Sequence, residues 1–175
     1  MKESTIRYSS WLGTVGRSLL VLALLGSSVQ GVSAQGSGAQ ALTGVWAVQV
    51  TVRDCATTAP LGPPVRAIVT FHQDGTIAES AGGLAFAPGQ RSPGHGVWTH
   101  NGANRFVQKM LALILFDSPP NLPVSPGFFA GWQTVTHNVE VTGDTLTSSG
   151  TNAFFRVDRS EYRTGCSTAT GERFK

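Results

Sequence analysis

Leu42-Thr43-Gly44-Val45-Trp46-Ala47-Val48-Gln49-Val50-Thr51-Val52-Arg53-Asp54-Cys55 is the stretch whose reading decides the fold. Trp46, Val48, Val50 and Val52 alternate with Ala47, Gln49, Thr51 and Arg53. Side chains along a strand point to opposite faces in turn, so a period of two predicts a half-buried β-strand with an apolar inner face. The last segment, Gly165-Cys166-Ser167-Thr168-Ala169-Thr170-Gly171-Glu172-Arg173-Phe174, carries the other cysteine and is expected to lie beside that strand.

Upstream of Leu42 the chain reads as an address. Lys2, Arg7 and Arg17 precede the apolar run Leu19–Leu25, and Val32-Ser33-Ala34 supplies small residues at a cleavage site. That order is the pattern of a secretory signal peptide over 1–34. The run is shorter than the ~20 apolar residues a spanning helix needs, so no membrane anchor is expected after cleavage. Residues 35–41 read as a flexible leader and 42–175 as one domain. The first 34 residues hold three of the 13 basic and one of the 10 acidic side chains, which leaves the remainder at net +1. A balance so close to neutral gives no field to attract nucleic acid or an acidic membrane. The address implies a periplasmic or extracellular protein, and there two cysteines predict one disulfide, Cys55–Cys166.

Downstream, turn signals cut the chain into short strands. Val65, Ala67, Val69 and Phe71 share a face, and Gln73-Asp74-Gly75 turns the chain. A three-residue loop with Gly75 left-handed pairs Phe71 with Ile77, and it drives Glu79 onto the apolar face. Gly82–Gly96 is rich in Gly and Pro and reads as loop, with Arg91 and His95 at a barrel mouth. Asn101-Gly102 is a hairpin signal, and the strand after it, 104–116, is apolar on both faces in its second half, so an outer cover is expected. Ser118–Gly127 carries four prolines and reads as a lid. In the strand over 131–141, Gln133, Val135, His137, Val139 and Val141 share the inner face. Strands follow at about 145–158 and 164–174, the first interrupted at Gly150. About eight short strands joined mostly by hairpins predict an all-β protein, an antiparallel up-and-down β-barrel with first and last strands paired. Closure removes exposed edges.

At Gly44-Val45-Trp46 the chain resembles the calycins, lipocalins among them, whose first strand opens with Gly-x-Trp. That resemblance implies a Trp46 indole plugging the closed end, with Arg173 lying across it. The short domain is nearer to a minimal, streptavidin-like calycin. Arg91–Trp98 and Gly165–Phe174 are similar to blocks of small secreted bacterial proteins without an assigned activity, a resemblance that implies fold and address but no reaction.

Three functions follow from such a barrel. In the first, the interior holds a small, mostly apolar ligand, with Val48, Val50, Phe71, Ile77 and Met110 as lining and Glu79, Gln133 and His137 as polar contacts. In the second, Glu79 and His137 form an acid–base pair of an isomerase or cyclase, a reading by fold analogy alone. In the third, the core is packed and the protein is structural. His72, His95, His100 and His137 show no metal spacing, and neither a phosphate loop nor a nucleophile elbow is present, so neither metal nor cofactor is expected. Leu111, Leu113 and Leu115, if they face outward, form an apolar strip suited to a homo-oligomer.

Overall fold

The computed structural model describes residues 39–82, 89–116 and 128–175. The signal-peptide segment, most of the leader and the Pro-rich 118–127 stretch lie outside the described residues. A helical turn, α1 (Ala39–Leu42), leads into eight strands: β1 (Gly44–Arg53), β2 (Val65–Phe71), β3 (Thr76–Gly82), β4 (Gly94–His100), β5 (Arg105–Phe116), β6 (Phe128–Thr142), β7 (Thr145–Arg156) and β8 (Glu161–Arg173). Each pairs antiparallel with the next, and β8 returns to β1, closing the barrel in sequence order.

The β1–β8 seam follows the alternation read from Leu42–Cys55. Trp46 lies opposite Arg173, and Arg53 lies opposite Cys166. Just beyond, Cys55 and Cys166 form a disulfide with their Cα atoms 5.2 Å apart. The β2–β3 hairpin has the three-residue loop expected. Gly75 takes φ 88°, a left-handed value that costs an L side chain but not glycine. Phe71 then pairs with Ile77 and Val69 with Glu79, which sets Glu79 inside. At Asn101-Gly102 the loop is longer than a two-residue turn. Asn101 N–H donates to Arg105 C=O at 2.8 Å, and both Gly102 and Ala103 carry positive φ.

One end of the barrel is plugged. Trp46 is fully buried and its Nε1–H donates to Leu42 C=O at 2.8 Å. The Arg173 guanidinium lies over the indole, 4.3 Å from the ring centroid, and donates to the carbonyls of Thr43 and Ala41. The segment expected to be a flexible leader therefore ends in structure. Its last turn is fixed because its carbonyls have partners and Leu42 is as buried as Trp46. Phe71, Ile77, Trp98, Phe106 and Val141 complete this layer, with Trp98 edge-on to Phe106 at 5.6 Å.

The outer wall is polar except in patches. On β5, Leu111 is 44% exposed while Leu113 and Leu115 are half-buried, so the outer side of this apolar strand is only partly covered among the described residues. No helix among the described residues is long and apolar enough to cross a membrane.

Candidate functional site

Above the plug the inward positions of the strands enclose a cavity of about 1160 Å³. Its walls are mostly apolar: Val48 and Val50 from β1, Ala67, Val69 and Phe71 from β2, Met110 from β5, Val135 and Val139 from β6, and Leu146 and Ala169 from β7 and β8. Leu61, Pro63 and Tyr162, from the loop after β1 and the start of β8, stand at the rim, with Leu61 and Tyr162 well exposed. The strand period explains the lining. Each contributing residue has the parity of the buried positions on its strand.

Two polar groups of side chains interrupt these walls. The first is built on the segment before β4. Arg91 bridges to Ile114 of β5, Ser92 N–H donates to Leu113 C=O at 3.0 Å, and Leu113 N–H donates back to Ser92 Oγ at 2.9 Å. This Gly- and Pro-rich stretch therefore runs along β5 as a strand does, and Arg91 turns inward. Its Nη1 donates to Glu79 Oε2 at 2.8 Å and its Nε to Gln133 Oε1. Both charged side chains are buried, at 8% and 7% exposure. A buried charge pair persists when its lone pairs and protons find further partners, and Gln133 is that partner here. Gly94, opposite Glu79 in the β3–β4 register, makes room for the pair. A Cβ there would sit 2.4 Å from Glu79 Oε2.

The second group surrounds His137 of β6. Its Nδ1 is 3.0 Å from Ser148 Oγ and its Nε2 is 2.8 Å from Ser167 Oγ. Asn152 Nδ2 donates to the same Ser167 oxygen at 2.9 Å. Burial pushes the imidazole down to about 4, so the ring is neutral at physiological pH. Gly150 faces His137 in the β6–β7 register, and a Cβ at that position would lie 2.6 Å from His137 Cδ2 and 2.0 Å from Thr136 O. The expected interruption of the strand at Gly150 is not found: β7 runs unbroken through it, and what Gly150 supplies is the missing side chain, which leaves room for the ring edge. Gln108 of β5 sits beside His137 in the β5–β6 register, is 7% exposed and lines the cavity.

Of the residues expected to line a ligand site, Val48, Val50, Phe71, Glu79, Met110, Gln133 and His137 lie on the cavity wall. Ile77 is buried in the plug layer below it. Arg91, expected at the mouth, is inside and tied to Glu79. His95 is exposed on the outer face of β4, opposite Ala78 and Leu111, so the structure does not bring it to Arg91 or to the cavity. Glu79 and His137 share the cavity but not a bond: the carboxylate is held by Arg91, and both ring nitrogens by serines. Gln108, Ser148, Asn152 and Ser167 were not singled out from the sequence. Parity was the available signal: Gln108 falls between the inward Phe106 and Met110, and Ser148 two residues after Leu146. Among the described residues no cluster of three or more His, Cys, Asp or Glu side chains comes together as metal ligands would.

No protein-family model matches this chain. No curated protein matches it either. Among solved structures it is similar to the crystal structure of Rv2717c from M. tuberculosis, at 12% identity over 79% of this chain and 98% of that one. The TM-score of that superposition is 0.36, a likeness too slight to say anything of this chain's activity.

Proposed function

We propose that the protein is an exported, calycin-like binding protein that holds a small, mostly apolar molecule inside its barrel. The observation that carries this reading is the cavity of about 1160 Å³ with apolar walls. Small-molecule sites range over roughly 300–1,000 Å³ and combine such walls with a few placed polar groups. Val48, Val50, Phe71 and Met110 supply the wall, and Glu79, Gln133 and His137 the polar contacts. The Trp46–Arg173 stack supports the calycin likeness, and the Cys55–Cys166 bridge supports maturation in an oxidising compartment, a periplasm or the cell exterior.

A packed structural core has no support in a hollow barrel. An acid–base enzyme has no observation in its favour, since Glu79 and His137 each have other partners. The test is titration of the purified domain with an environment-sensitive apolar dye. Saturable binding is expected, weakened in Val50→Trp, which narrows the cavity, and reduced in His137→Phe. A domain that is folded by circular dichroism and binds no apolar dye overturns the proposal.

A further inference from the structure

The polar wall around His137 carries more hydrogen-bond donors than it can use. His137, Ser148, Ser167 and Asn152 bring five polar hydrogens when the imidazole is neutral: one ring N–H, two hydroxyls and one amide pair. Three hydrogen bonds join them. Each bond consumes one hydrogen whichever way the tautomer or the amide is drawn, so two are left over. Protonating the ring adds another. Beside this group lies Gln108, over nine-tenths buried and on the cavity wall. Among the described residues its amide makes no hydrogen bond, which adds two more donor hydrogens on the same wall. Among the described residues no fully buried side-chain N or O lacks a partner, so the unbonded Gln108 amide is open to the cavity and not sealed in packed protein. An occupant that displaces water from this wall must therefore bring an acceptor of its own, because an N–H or O–H cut off from water without one is rare.

We infer that the cavity is built for an apolar molecule bearing an uncharged oxygen acceptor of the carbonyl type, seated on Gln108 and the Ser148–His137–Ser167 group. The inference rests on the binding reading above and names the ligand class for the same cavity. Charge excludes the obvious competitor, a buried carboxylate. Among the described residues on this cavity, the buried cation, Arg91, is already paired with Glu79, and Arg163 is exposed at the rim, away from the His137 wall. An anion brought to the His137 wall would lose its water without gaining a counter-charge. Depth agrees with this placement: His137 lies between Gln133 on the mouth side and Val139 towards the plug, so an acceptor there has apolar wall above and below it.

The experiment compares three probes of one length on the wild-type domain: a naphthyl alkyl ketone, its carbonyl-free alkyl analogue, and the matching carboxylate. The ketone is expected to bind tighter than the alkyl analogue by roughly two- to tenfold for each hydrogen bond accepted. Its C=O stretch should move to lower frequency in the complex. Gln108→Leu, which removes an unbonded amide and leaves no partner stranded, should bring the two affinities together while the domain stays folded. Equal affinities for ketone and alkyl probes in the wild type, with an unshifted C=O stretch, overturn the inference and leave the apolar binding reading standing. A carboxylate that binds more tightly than the ketone overturns it too. If none of the three binds, both readings fall.

Discussion

Replacing Arg91 by Met tests whether the Glu79–Arg91 pair holds the open half of the barrel together. Methionine keeps most of the side-chain stem and removes the guanidinium. Glu79, 7% exposed, is then left inside without its counter-charge. Stranding one member of a buried pair costs about 3–5 kcal/mol when the site is dry. These two side chains line a cavity wide enough for water, which screens the stranded carboxylate and brings the cost to the bottom of that range or below it, about 2–3 kcal/mol. For a domain of this size that is a fall in Tm of about 10 °C. Urea denaturation followed by tryptophan fluorescence measures it directly. The companion is a double-mutant cycle with Glu79→Gln. Removing both charges should restore about 1–2 kcal/mol relative to Arg91→Met, because the cost lies in the orphaned charge and not in the lost contact. A loss below about 1 kcal/mol in Arg91→Met, or a double mutant no more stable than the single, refutes the reasoning.

The His137 ring titrates far below its ordinary value because it is buried. A depressed histidine stabilises the fold above pH 6.5, where both states are neutral, and that contribution drains away as pH falls from about 6.5 to about 4. The span is worth about 3 kcal/mol, and His137→Gln should flatten the acid limb in that window. Asp54, Asp74, Asp144 and Asp158 are held below the usual carboxylate range by Thr57, Thr76, Lys175 and Ser160, so their acid losses fall mostly below it; an unchanged limb in His137→Gln would refute the assignment. Arg173→Leu removes the stack on Trp46 and two carbonyl partners, an expected loss of about 2–3 kcal/mol in urea. Arg173→Lys should recover less than half of that, since an ammonium cannot stack and span both carbonyls. Cleaving Cys55–Cys166, whose partners are 111 positions apart, should cost up to about 4–5 kcal/mol, with hydrogen exchange rising first in β8 near Ser167 and last near Arg173.

Much of the barrel was legible because strand parity and turn chemistry are local properties. The alternation of Trp46, Val48, Val50 and Val52 fixed the inner face, and Gly75 fixed the hairpin that turns Glu79 inward. The closing pair of strands followed from two cysteines. The polar site was legible only in part. Arg91 sits in a stretch whose Gly and Pro content reads as loop, and nothing local reveals that β5 captures it through Ser92 and Ile114. His95 has the opposite parity to Gly94 and Gly96, which reading Gly82–Gly96 as loop conceals. Ser148 and Ser167 are ordinary residues in ordinary strands. Their meaning arises across three strands, where the register sets them on either side of one imidazole.

The seam between β1 and β8 is fastened at both extremes, by the tryptophan–arginine stack at one and the disulfide at the other. A cylinder locked there must breathe somewhere else. Local opening takes the ladder with the fewest rungs. Among the described residues that is β3 against β4, four pairs from Thr76–Val97 to Glu79–Gly94. The Glu79–Arg91 charge pair stands at the end of that short ladder, so breaking it should show first as faster amide exchange over Thr76–Glu79, where few other bonds tie this panel to its neighbour.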